Sequence, residues 1–145
     1  MQGAIIDTAC AIATESRDQS IDMGTIPFAD FIRNGQGRAK YFSIKLINCF
    51  IEQQSNIKRS WNKFQVTFDG DADGRMFEVQ GKASGISLQI ISNSGKVVVP
   101  GRSLPLEQIN AADMKLNYKL RLVANQKKLK AGHFFSAIRF KLDYF

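Results

Sequence analysis

The sequence holds a single histidine, two cysteines, three prolines and one tryptophan in 145 residues. With His133 alone, a metal centre built on several imidazoles is excluded, and any Ser-His-Asp relay would have to run through that one residue. It stands beside Gly132 at the start of an apolar stretch, where a surface histidine is the simpler reading. No apolar run approaches the roughly 20 residues that a helix needs to cross a bilayer. No segment of about ten residues or more keeps a helical period. No glycine-rich loop leads into a helix, so a phosphate cradle has no support. No signal peptide is legible, because Met1-Gln2-Gly3 runs straight into strand-like sequence. The expectation is a cytosolic protein, or a mature or engineered form with a replacement Met1.

The two cysteines, Cys10 and Cys49, lie far apart in separate strand-like runs. That spacing suits neither a CxxC redox pair nor a zinc site. It leaves open both a disulfide and two buried thiols. The net charge is +7 with a pI near 9.6, which in general points to nucleic acid or an anionic surface. Here the cations are scattered. The densest group, Lys127, Lys128 and Lys130, follows the turn-like pair Asn125-Gln126 and reads as solvated charge on a turn. Asp69-Gly70-Asp71-Ala72-Asp73-Gly74 superficially resembles a calcium loop. It lacks the regular acidic spacing and the closing Glu of an EF-hand, and it reads as a turn between strands.

What the sequence does contain is alternation. Apolar residues of one parity recur in the runs 4–14, 20–26, 40–49, 61–69, 75–80, 85–92, 96–99 and 115–124. A short helical turn is expected over Phe28 to Arg33, ended by Asn34 to Gly37. The stretch 102–113 reads as irregular, with Pro105 inside it. The last stretch, Gly132 to Phe145, is the most regular. Phe134, Ser136, Ile138, Phe140, Leu142 and Tyr144 share one parity, and Arg139, Lys141 and Asp143 lie on the other. Successive strand side chains point to opposite faces, so this stretch has one nearly unbroken apolar face that must be covered. Many short strands separated by turns predict a single all-β sandwich domain over residues 1–145.

These residues resemble the pilin domain of chaperone–usher pilus subunits. The first strand, Gly3 to Cys10, is similar to the family's cysteine-bearing first strand. Ile21-Asp22-Met23-Gly24 resembles the next. Phe42-Ser43-Ile44-Lys45-Leu46-Ile47-Asn48-Cys49 fits the pattern F-x-I-x-L-x-x-C with the partner cysteine, and Val66 to Gly70 is another family-like strand and turn. The C-terminus carries the most specific match, with Tyr144 next to last and Gly132 fourteenth from the end.

The resemblance implies an incomplete immunoglobulin-like sandwich that lacks its last strand, and a Cys10–Cys49 disulfide formed in an oxidising periplasm. It implies a donor-strand groove, also the chaperone-binding site, at Ile6, Ile12, Gly132, Phe134, Ile138, Phe140, Leu142 and Tyr144. Expected partners are a periplasmic chaperone, an outer-membrane usher and neighbouring pilins, with neither nucleic acid nor membrane insertion. No cofactor, metal or catalytic residue is expected. The family carries an N-terminal donor extension, and here only nine residues precede Cys10; the expectation is a chain that accepts a strand without giving one. With four threonines and its basic balance, the chain is more similar to minor subunits, such as the P-pilus terminator that anchors the rod, than to rod pilins. A rod or tip-adaptor pilin and a small sandwich adhesin remain alternatives. A DNA-binding sandwich and an enzyme follow further behind.

Overall fold

The computed structural model of the protein describes residues 1–2, 10–13, 16, 21–47, 63–108 and 115–144. Ile6, Cys49 and Trp61 lie outside the described residues. In chain order the elements are β1 (Ala11–Ile12), α1 (Phe28–Asn34), β2 (Lys40–Ile47), β3 (Lys63–Asp69), β4 (Ala72–Asp73), β5 (Met76–Glu78), β6 (Gln80–Gly81), β7 (Ile86–Ser92), β8 (Glu107–Gln108), β9 (Lys115–Ala124), β10 (Phe134–Phe135) and β11 (Arg139–Tyr144). Six strands form one sheet in the order β1-β2-β9-β7-β5-β4. Three form a second, β11-β3-β8, and β10 pairs with β6.

The parity of the sequence becomes the two faces of these sheets. On β9, Tyr118, Leu120 and Leu122 are buried, as are Ile44 and Leu46 on β2 and Leu88 and Ile90 on β7. Phe64, Val66 and Phe68 of β3 meet them from the second sheet, each at most 3% exposed. Edge-on and stacked rings lock this contact. Phe68 stands edge-on to Tyr118, with centroids 5.0 Å apart, and Phe42 stacks on Tyr118 at 5.4 Å. All strand pairs among the described residues are antiparallel.

Helix α1 is longer than the single turn expected. It begins after Pro27, which lacks an N–H to leave unpaired. It ends where Gly35 adopts φ 70° and donates its N–H to Phe31 O at 2.9 Å. The chain then takes over the edge of β9 beyond the reach of β2. Ala124 N donates to Gly35 O and Gly37 N to Leu122 O, both at 2.8 Å.

Four expectations need correction. Residues 21–26 form no strand, because Gly24 turns at φ 71° and Asp22 Oδ1 accepts its N–H at 2.8 Å, an Asx turn that breaks a ladder. The Asp69–Gly74 turn contains the short strand β4, folded back on β5 around Gly74. The stretch 102–113 is irregular only in part, since β8 pairs with the start of β3 and Leu104 N donates to Val66 O at 2.8 Å. By contrast, residues 96–99 form no strand of their own and meet β7 through the Ile91–Val97 bridge, the bond from Val98 N to Ile90 O, and the bonds from Ser92 N to Lys96 O and from Lys96 N to Ser92 Oγ.

The final stretch also departs from a single strand. It pairs first with β6, Phe134 opposite Gly81, and then with β3, from Arg139 opposite Asp69 to Tyr144 opposite Phe64. Its partners lie in different sheets, so the ladder is interrupted at Ser136–Ile138. There Ser136 Oγ donates to Glu78 O at 2.9 Å. Gly70 lets the backbone pass, since a Cβ there would stand 3.0 Å from Ala137 O.

Two polar contacts tie these pieces together, and each yields a test. Asp73 accepts hydrogen bonds from Ser87 Oγ and, at 3.1 Å, from Asn125 Nδ2. The Ser87 hydroxyl first, then the Asn125 amide and the Lys127 charge, hold its carboxyl below the usual range, against the opposing effect of burial. A lowered folded-state value means stability that is present above the unfolded carboxyl value of about 3.9 and lost as pH falls through the folded value. The stability difference between wild type and Asp73→Asn is expected to favour wild type at pH 7 and to shrink below about pH 4. Urea unfolding across that range checks this, and a difference independent of pH would assign the effect to something other than the carboxylate. Tyr144 Oη donates to Cys10 O at 3.1 Å, clasping the last strand to the first. Tyr144→Phe is expected to lower the unfolding free energy by about 1 kcal/mol, read from the urea midpoint at unchanged slope.

Candidate functional site

The even-numbered residues of β10 and β11 face inward, yet they are only half-buried, unlike those of β3. The topology explains the contrast. β11 is the outermost strand of its sheet, flanked by β3 alone, so its apolar face has cover on one side. Beside it an apolar groove of about 950 Å³ opens between the sheets.

Leu88 and Ile90 of β7, Leu120 and Leu122 of β9, Phe42 of β2 and Phe68 of β3 line this groove from the core. The C-terminal stretch contributes Phe134 and Phe140 from its strands and Ile138 from between them. The stretch before and within α1 contributes Ile21, Met23, Ile26, Phe28 and Phe31. Polar residues such as Asp22, Thr25, Lys130, His133 and Ser136 also border it. Its chemistry is that of a receptacle for apolar side chains, with main-chain groups of an edge strand alongside. No group of three or more potential metal ligands occurs among the described residues.

Of the residues predicted from the sequence, Gly132, Phe134, Ile138 and Phe140 line the groove together. Leu142, Tyr144 and Ile12 pack against the core without lining it. Cys10 is buried and disulfide-bonded. Gly132 serves through its backbone. At φ 152° it lies so close to the preceding hairpin that a Cβ would stand 2.7 Å from Lys82 Cβ and 2.9 Å from Ala83 N. The adjacent His133 carbonyl accepts from both Lys82 N, at 3.0 Å, and Ala83 N, at 3.2 Å. Burial pushes the Tyr144 phenol up from its ordinary value. Burial, with a smaller part from the Glu107 carboxylate, does the same to Tyr118. Both therefore remain neutral hydroxyls across the physiological range.

Sequence reasoning missed the contribution of residues 21–31. The signal was present in two forms. Ile21 and Met23 alternate as in a strand, and an extended segment places them the same way without a ladder. Phe28 and Phe31 are three apart, on one side of a helix.

No family model matches the chain. It is 35% identical over 144 residues to the PRS fimbrial minor pilin protein of Escherichia coli, covering 98% of this chain and 74% of that protein. The PAP fimbrial minor pilin protein of Escherichia coli matches with the same identity and coverage. Fimbria A protein of Serratia marcescens is 29% identical over 147 residues, covering 98% of this chain and 80% of the relative. Among solved structures, the P pilus rod subunit PapA superposes with a TM-score of 0.78 at 22% identity, over 94% of this chain and 99% of that one. A subunit from the structure of a chaperone–usher pilus superposes at 0.80 with 22% identity, over 99% and 92%. The structural likeness establishes the all-β pilin fold, and the full-length identity to two minor pilins establishes the kinship. The chain belongs to the fimbrial pilins, the subunit family of chaperone–usher pili.

Proposed function

We propose that the chain is a structural, non-enzymatic subunit of a chaperone–usher pilus, whose groove is filled by an extended strand from another protein. One observation carries this reading: the edge strand β11 runs beside an apolar groove of about 950 Å³ with its inward side chains half-buried. An added strand would pair its main chain with such an edge and seat alternate side chains in the groove. β11 spans roughly 20 Å at 3.4 Å per residue, and the lining of β10 lengthens the track. The first occupant would be a periplasmic chaperone. The second would be a neighbouring subunit's donor segment, exchanged at an outer-membrane usher, and the finished product a fimbrium on the cell surface. A minor-subunit role is supported by the identity to two minor pilins. The chain contains only Cys10 and Cys49, so Cys49 is the proposed disulfide partner of Cys10.

Co-expression with a pilus chaperone is expected to yield a stoichiometric complex. Ile138→Asp and Phe140→Asp should abolish capture, because a carboxylate among the groove's apolar side chains is costly to bury under an added strand. Lys141→Asp, on the exposed face of the same strand, should be captured like wild type. Capture of both groove variants at the wild-type level would remove β11 as the acceptor edge. A donor peptide at 100 times its dissociation constant should add about 2.7 kcal/mol to the unfolding free energy of the wild-type chain.

The disulfide closes a long loop, and its loss is expected to destabilise the chain by about 4 kcal/mol. Urea unfolding with and without a reductant measures this. An unchanged midpoint would mean that the cross-link constrains little in the unfolded chain.

A further inference from the structure

The outward face of the six-stranded sheet is unlike the rest of the surface. Odd-numbered residues of β2, β7 and β9 point away from the core, and none of them is acidic. Lys45 stands directly opposite Lys115, and Tyr41 directly opposite Lys119. Arg121 stands beside Gln89 on the next strand. Like charges placed opposite one another in a ladder repel, and Lys45 and Lys115 are so placed, with no acidic residue among the outward positions of these three strands. The ion pairs among the described residues, Arg139–Asp69 and Lys141–Asp143, lie on β11 and its partner β3. Arg121 is held in place, since its Nη1 donates to Gln36 Oε1 at 2.9 Å, while its buried Nε has no partner. Tyr41 is 75% exposed on this same face.

The arrangement has a shape as well as a sign. Lys115, Lys119 and Arg121 lie along one strand, a track of about 20 Å. Lys45 widens one end, and the amides of Asn117 and Gln89 lie between the charges. A small anion would need a concave cradle. This is a flat, linear row of cations with interspersed hydrogen-bonding groups and one uncovered aromatic ring. We propose that it binds a linear polyanionic polysaccharide, with the cations on its acidic groups, the amides on its hydroxyls and the Tyr41 ring against a sugar face. The inference is independent of the groove on the opposite side of the same sheet.

Heparin is the probe, titrated against the whole chain in increasing salt. Lys115→Gln/Lys119→Gln is expected to weaken binding at least tenfold and to lower the salt dependence. Lys127→Gln/Lys128→Gln, which removes the same net charge on an exposed turn, should change it less than twofold. Tyr41→Ala should weaken heparin binding severalfold while leaving the salt dependence unchanged, a signature that simple charge attraction lacks. All of these side chains reach the surface, so the melting temperature should hold and loss of fold is excluded directly. Three results would each overturn the proposal: no heparin binding by wild type, equal losses in the two lysine pairs, or duplex DNA bound as tightly as heparin with no effect of Tyr41→Ala.

Discussion

Phe68 is the residue through which the two sheets hold each other. Its ring lies edge-on to Tyr118 and to Phe42 on the large sheet, and 6.0 Å from Phe140 on the last strand of its own. Aromatic pairs of this kind contribute about 0.5–1.5 kcal/mol each beyond their buried area. They also set a separation. Where the rings interlock, the sheets are closed against each other, and Phe68 is 2% exposed. Val79, Ala83 and Ile138 line the groove beside them. Phe42, Phe68 and Phe140 all line that groove, so the contact that stabilises the sandwich also forms part of the binding surface.

The arrangement carries a liability. An apolar strand at the edge of a sheet is a template for indiscriminate pairing. Charges at Arg139, Lys141 and Asp143 on the outward face of β11 lessen it, and the Arg139–Asp69 and Lys141–Asp143 pairs keep that face polar. They leave the inward face as apolar as before. The Tyr144–Cys10 bond restrains one end of the edge, and the backbone packing of Gly132 against Lys82 and Ala83 restrains the other. The strand is thus fixed at its ends and uncovered along its middle, which favours an extended partner over a compact one.

Alternation carried most of the fold into view from the sequence. β9 was expected over Lys115–Ala124 and forms there, because five apolar residues in strict step leave no other way to bury them. The helix and the glycine stop after it were also legible. What escaped was every feature set by which sheet a segment joins. Alternation reports which way a side chain points and says nothing of its partner strand. The stretch from Gly132 onward therefore read as one strand, although β10 and β11 pair with partners in different sheets. The groove was half legible for the same reason. Its C-terminal residues are visible as an apolar face, whereas Ile21, Met23 and Ile26 reach it from a segment without a ladder, and an Asx turn hid them behind a strand-like pattern.

The same parity governs both faces of the large sheet, and this couples two properties that look unrelated. On β2 and β9 the even positions supply Phe42, Ile44, Tyr118 and Leu120 to the core, and the odd positions supply Tyr41, Lys45, Lys115 and Lys119 to the outside. A shift of one residue would exchange the sets, sending three cations inward and the aromatic cluster into water. The register of β9 is therefore held from both sides, by burial on one face and by the desolvation cost of lysine on the other. Ser87 is the exception that fits the rule. It sits at an odd position yet is 0% exposed, because β4 folds over it and Asp73 takes its hydroxyl. Where an outward position is covered, the chain places a small hydroxyl with a ready acceptor. The uncovered outward positions carry the cations Lys45 and Lys115 beside Tyr41, Ile47 and Asn117.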